Sequence, residues 1–249
     1  MMFDPKRKCP VLGIDINIGR PEEAADYITS ERNNLKGSYV CFSNVHTTVM
    51  AYRNEEYGKA LKGAGFVFPD GKPIASEQRK KGYADAQRIA GPDFMKEIFE
   101  RSRDGSVSHY FYGSSRETLD RLRENLQRTY PGMDIRGMYS PPFRKLTKEE
   151  TDHDIEMINA SGADMVWIGL GAPKQELFMY GTKGRVNALM LGVGAGFSFH
   201  AGTKKRAPLW MQKLGLEWLF RLLSDPKRLF KRYLVTNTQF LWYTKVMKK

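Results

Sequence analysis

Short apolar runs at residues 39–43, 66–68, 109–112, 164–169 and 188–193 are each followed by a polar or Gly/Pro turn and then by a stretch of helical spacing. This alternation constrains the chain more than any other feature. Runs without a polar side predict strands buried on both faces, and intervening helices are the connections that parallel strands require. The spacing predicts helices over residues 22–33, 55–64, 93–103, 116–129 and 148–160. The last is opened by a capping box, with Glu150 three residues after Thr147. An earlier run, residues 11–18, alternates around Asp15 and Asn17 and reads as an edge strand or hairpin. The expected fold class is therefore α/β: a Rossmann-like, mostly parallel sheet with helices on both faces. Such sheets bind ligands at the carboxyl ends of their strands.

The pattern changes near Gly202, where Leu, Trp, Met and Phe crowd residues 207–223. Ser224-Asp225-Pro226 restarts a helix, and over 226–247 the apolar residues fall at helical spacing with Asn237 interrupting the stripe. Of the net charge of +12, ten units lie in residues 201–249, which leaves the first 200 residues nearly neutral. We therefore divide the 249 residues into an α/β core, 1–200, and a basic amphipathic helical appendage, 201–249. One reading of the appendage is a helix pair packed on the core with a solvated basic face. The other is a membrane-surface element, with aromatics and Leu entering the interface and Lys/Arg meeting anionic lipid. Nucleic acid is a third polyanion; it ranks behind the membrane because the cations alternate with a broad apolar stripe. We thus expect an anionic membrane surface and no nucleic acid as partners.

No run approaches the ~20 apolar residues of a membrane span, and Met1 to Cys9 lacks the apolar core of a secretory signal. Cys9 and Cys41 read as reduced cytosolic thiols. The four histidines form no HxxH or HxxxH pair, so neither a metal site nor a cofactor is expected. The expected location is the cytoplasm, peripheral on the inner face of the cell membrane. Self-association into a homo-oligomer stays open.

Candidate chemistry gathers where strands should end. Asn44 and Thr47 follow the 39–43 run and offer hydrogen-bonding groups at the ligand-facing edge, though from local sequence alone an N-cap and turn explains them better. Asp70, between Pro69 and Gly71, is either a turn residue or a carboxylate that accepts a proton from a hydroxyl. Arg88 precedes Gly91 and Asp93 in a polar loop, as a phosphate ligand or a solvated side chain, and Asp93 reads as a first-turn acid. In Gly169-Leu170-Gly171-Ala172-Pro173-Lys174-Gln175-Glu176 a buried strand runs into glycines and a helix N-terminus, an arrangement that favours phosphate. Lys174, Gln175 and Glu176 add side chains to it. Gly194, in Gly192-Val193-Gly194-Ala195-Gly196, repeats that logic one strand later, which together makes a diphosphate site.

These blocks, with Ser43-Asn44-Val45-His46-Thr47, Pro69-Asp70-Gly71-Lys72-Pro73, Arg206-Ala207-Pro208 and Gly215-Leu216-Glu217-Trp218-Leu219-Phe220-Arg221-Leu222, resemble the WecG/TagA/CpsF glycosyltransferases over roughly residues 11–235. The resemblance implies an inverting transferase that needs no metal ion. It implies a UDP-sugar donor, commonly UDP-N-acetylmannosamine or its uronic acid, and undecaprenyl-diphosphate-N-acetylglucosamine as acceptor, in wall teichoic acid, enterobacterial common antigen or capsule synthesis. It places the general base at Asp70, with Asn44 and Arg88 as further catalytic residues and Gln175 in the PKQE motif. Some members carry Thr two residues before the Asn; Phe42 stands there, so that role does not transfer. From the appendage the resemblance offers Arg206, Arg221, Arg228 and Arg232 as substrate ligands. A nucleotide-sugar hydrolase or epimerase, or a basic nucleic-acid-binding protein, are the alternative readings.

Overall fold

A computed structural model describes residues 3–246. The chain opens with an antiparallel hairpin, β1 (Lys8–Val11) and β2 (Ile14–Asn17), which forms its own small sheet. Six strands then build one parallel sheet: β3 (Tyr39–Ser43), β4 (Phe66–Pro69), β5 (Ser108–Gly113), β6 (Asp134–Tyr139), β7 (Met165–Gly169) and β8 (Leu189–Gly192). Their order across the sheet is β4-β3-β8-β7-β5-β6, and every pairing is parallel. All six carboxyl ends therefore share one edge.

The apolar runs earn their strand status by feeding two cores at once. Val40 and Phe42, Phe111, Trp167, and Leu189 and Leu191 join one apolar cluster. Tyr39 and Cys41, Tyr110 and Tyr112, Val166 and Ile168, and Met190 join another. Neighbours along a strand point to opposite faces, so each face carries its own layer of helices. On the first lie α1 (Pro21–Glu31), α5 (Gly91–Arg101), α6 (Arg116–Thr129) and α9 (Gly196–His200), through residues such as Ile28, Phe94, Leu122 and Phe197. On the second lie α2 (Val45–Arg53), α3 (Glu55–Lys62), α4 (Lys72–Lys80), α7 (Lys148–Ala160) and α8 (Lys174–Gly181), through Val49, Tyr57, Ile74, Ile158 and Met179. Full burial of one such side chain contributes about 1.5–3 kcal/mol. The α/β class is as the sequence implies.

β6, α2 and α4 lie outside the apolar runs and helical stretches that the spacing predicts, although an N-cap at Asn44 already implies a helix after β3. β6 is an edge strand whose residues are only half covered, so it lacks an apolar run. Gly137 in it lies where a Cβ would strike the Tyr110 ring, beside a register shift at His109/Tyr110. α2 contains Val45, Thr47, Thr48 and Val49, β-branched residues that weaken helical spacing, and is held by its cap instead. α4 follows the Pro-Asp-Gly turn so closely that the turn signal masks it.

Past residue 200 the chain forms α10 (Leu209–Leu214), α11 (Glu217–Ser224), α12 (Pro226–Leu241) and a π-helical turn, Trp242–Val246. Gly215, at φ 79°, adopts the left-handed conformation that closes α10. α12 packs on α2, with Phe240 buried in the second cluster and Tyr52 and Tyr243 ring centroids 4.7 Å apart. No helix among the described residues is long and apolar enough to cross a membrane. Cys9 and Cys41 are both free and buried.

Candidate active site

Asp70 sits where β4 ends. Its backbone N–H donates to Ser43 O at 2.9 Å, one more rung of the β3–β4 ladder, so the side chain emerges at the shared carboxyl edge. Asn44 lies alongside. Its Oδ1 accepts from His46 N at 3.0 Å and Thr47 N at 3.3 Å, capping α2, and its side chain favours the charged form of Asp70. Asn44 is thus the N-cap of α2 and stands beside Asp70. The loop before α5 is pinned to β4 by Ile89 N–H donating to Pro69 O at 2.8 Å, which brings Arg88 back to the edge. Arg88 Nε donates to Asp70 O at 3.0 Å, and its guanidinium comes within 4.0 Å of Asp70 Oδ1. Burial pushes the Asp70 carboxyl above its ordinary range; Arg88 and Arg221 pull it down, and Glu217 pushes it up again. A carboxylate raised in this way is better suited to hold a proton transiently than an exposed one.

The C-terminal helices complete this edge. Arg206 grips Asp93 of α5 with two bonds, 2.5 and 2.8 Å. Burial raises Asp93, and the Arg206 pair outweighs it, leaving the carboxyl below its usual range. Glu217 of α11 accepts from Arg88 at 2.7 Å through one oxygen and from Arg221 at 2.7 Å through the other. Arg206 Nε lies 3.9 Å from the same carboxylate. The guanidiniums of Arg206 and Arg221 stand 6.0 and 5.3 Å from the Phe199 ring. Arg88, Arg206 and Arg221 thus converge on Asp70, Asp93 and Glu217. The Nε atoms of Arg206 and Arg221 are buried without a hydrogen-bond partner among the described residues. Beside Arg88 a cleft of about 450 Å³ opens between α4 and α10, lined by Lys72, Arg79, Gln87, Leu209 and Gln212 among others.

The glycine turns lie further along the edge. Gly171 and Gly194 take φ values of +76° and +51°, which suit glycine. Gln175 ties the two turns together: its Oε1 accepts from Gly171 N–H at 3.2 Å and its Nε2 donates to Gly192 O at 3.1 Å and to Glu176 Oε1 at 2.8 Å. Gln175 therefore shapes the turns. Glu176 is buried behind it, its carboxyl raised chiefly by burial. Gly169 lies under the Phe197 ring, where a Cβ would collide at 2.6 Å. Lys174 is exposed at the start of α8.

Thr47 is buried, its hydroxyl bonded to Asn44 N at 2.8 Å and to Ser43 Oγ at 3.1 Å, so it serves the cap. Arg232 of α12 lies beside His46. Burial, then the Arg232 charge, pushes His46 down to about 4, so its imidazole is neutral at pH 7. The Arg228 side chain lies outside the described residues. Phe42 packs on Phe68 and Phe94, with ring centroids 5.8 and 5.4 Å apart. Among the described residues no group of three His, Cys, Asp or Glu converges as metal ligands would. Two participants had no role in the sequence reading. Glu217 could have been found as one of two acids in an otherwise basic segment, whereas His46 carries no such signal.

A parallel α/β sheet with a raised carboxylate and convergent arginines at its carboxyl edge is the construction of a group-transfer enzyme that handles an anionic substrate. The family description "Glycosyl transferase WecG/TagA/CpsF family" matches residues 9–249, and the chain belongs to that family of glycosyltransferases. It is 31% identical over 194 residues to an N-acetylglucosaminyldiphosphoundecaprenol N-acetyl-beta-D-mannosaminyltransferase of Bacillus spizizenii, an alignment covering 78% of this chain and 74% of the relative.

Proposed function

We propose that this glycosyltransferase moves N-acetylmannosamine from its UDP-linked form to undecaprenyl-diphosphate-N-acetylglucosamine, with inversion, in surface-polymer synthesis. The relative's name supports the sugar and the acceptor. The observation that carries the mechanism is Asp70 at the strand edge facing Arg88 and Arg221. Asp70 takes the proton of the acceptor hydroxyl as that oxygen bonds to the anomeric carbon. The bond from that carbon to the UDP oxygen breaks, and its electron pair leaves on the diphosphate. Arg88, Arg206 and Arg221 offset the charge that develops there, and backbone N–H groups of the β7 and β8 turns hold the nucleotide diphosphate. The products are the lipid-linked disaccharide and UDP, with the proton passing from Asp70 to solvent.

Residues 201–249 act in this reading as an appendage that rests on the inner membrane surface. Leu209, Trp210, Leu214, Trp218, Leu223 and Phe230 are all exposed there, amid ten net positive charges. The reading is tested by mass spectrometry of lipid-linked products over a panel of UDP-sugars. Asp70→Asn should lower turnover by about 10²-fold or more with the fold intact, and activity should persist in EDTA. Release of free sugar without acceptor would instead indicate a hydrolase. Activity lost in EDTA and restored by Mg²⁺ would show that the arginines do not suffice.

A further inference from the structure

Glu217 is an anion in a segment that otherwise meets the site with cations, and it is buried at 9% exposure. Burying a carboxylate is costly unless its oxygens are paired. Here each oxygen is taken: one by Arg88, from the loop before α5, the other by Arg221, four residues on in α11, both at 2.7 Å. Arg206 approaches the second oxygen at 3.9 Å. The sequence separation from Arg88 is 129 residues, so this one side chain joins the core's own arginine to those that the C-terminal helices bring.

We infer that Glu217 is a positioning residue for the transfer step: it fixes Arg88 and Arg221 in a common fork facing Asp70, and its charge keeps Asp70 from being over-neutralised by that fork. The inference rests on the reading of Asp70 as the base. Its oxygens are spent on the guanidiniums, so it touches no substrate. Without a central anion, three guanidiniums at one edge would repel one another and Arg88 would close on Asp70, 4.0 Å away. The groups that face Asp70 are Asn44 from the start of α2, Arg88, Arg206 from the segment before α10, and Glu217 and Arg221 from α11. Glu217 is the anion among them that favours the protonated form of Asp70, so removing it moves Asp70's titration down in pH.

Two substitutions separate charge from reach. Glu217→Gln keeps the shape but loses the charge, and it replaces one of the two accepting oxygens by an NH2 group that faces an arginine as a second donor. Turnover should fall about tenfold or more, because the developing charge loses an oriented donor, and the acid limb of the kcat/KM profile should shift to lower pH. Glu217→Asp keeps the charge but cannot reach both arginines, so turnover should fall while the limb stays. Carbon-13 NMR of the full-length chain, with the Asp70 carboxyl signal assigned by its loss in Asp70→Asn, reads the same titration without substrate and should show the same downward shift in Glu217→Gln. If the wild-type rate does not follow Asp70's titration, the base assignment fails while NMR still decides the role of Glu217. Unchanged turnover in both variants, or an Asp70 titration unmoved in Glu217→Gln, overturns the inference. Should Glu217→Gln not fold, Glu217→Asp decides alone: reduced turnover with an unmoved limb supports it, and wild-type turnover overturns it.

Discussion

Trp167 in β7 and Trp218 in α11 are the same side chain in opposite surroundings. Trp167 is fully buried, its indole N–H donating to His109 Nδ1 at 3.1 Å and its ring edge-on to Phe99. Trp218 is 45% exposed, touching Tyr233 edge-on on a helix whose polar anchor is Glu217. The sheet hides its apolar residues and leaves polar ones at its carboxyl edge. The C-terminal segment reverses this, turning Arg206, Glu217 and Arg221 inward and many of its large apolar residues outward. A segment folded only for its own stability would do the opposite. The contrast supports the proposal that the segment past residue 200 meets two things, the polar edge of the sheet and an apolar surface.

The contrast breaks or sharpens under substitution. Trp167→Ala removes a fully packed side chain and should cost about 3–5 kcal/mol of stability. Trp218→Ala should cost little stability yet reduce sedimentation with anionic liposomes; equal losses of stability at the two sites, measured by denaturant unfolding, would erase the distinction. Lys227 and Lys231 are exposed on α12. Reversing both to Glu should weaken liposome binding by at least the about 1 kcal/mol that each cation contributes near an anionic bilayer. Binding should survive in part, because the exposed Trp and Leu residues also insert; wild-type binding would remove the electrostatic share. The smallest effect concerns Asp93, whose carboxyl lies below its usual range in the fold. A depressed carboxylate contributes stability that is present above its unfolded pKa and lost as pH falls through the folded one. The Arg206–Asp93 tie should therefore loosen only below about pH 4. Asp93→Asn should flatten that stretch of the stability-versus-pH curve, and an unchanged curve would show the tie to be without weight.

What could be read beforehand follows the same division. Strands buried on both faces declare themselves as apolar runs, so β3, β5, β7 and β8 were legible almost to the residue. β6 was not, because an edge strand half open to solvent needs no such run. At the site, Asp70 and the glycine turns were legible because strand-to-turn junctions are local features. The place of Glu217 was not, since its meaning comes from Arg88, which is distant in sequence and near only once α11 docks. Gln175 was legible as a site residue from its place beside the first glycine turn; that two of its hydrogen bonds join that turn to the second was not, because Gly192 is distant in sequence.

The proposed transfer site is shared between the sheet edge and the C-terminal segment. The most direct test is the turnover of the full-length Arg206→Ala/Arg221→Ala variant on the lipid-linked acceptor, with its melting temperature measured beside it. Removal of a single preorganised donor to developing charge costs about 10²–10³ in kcat. The account predicts a loss of at least that size in a folded protein that still sediments with liposomes. Turnover at the wild-type rate would contradict it and return the chemistry to the sheet edge alone.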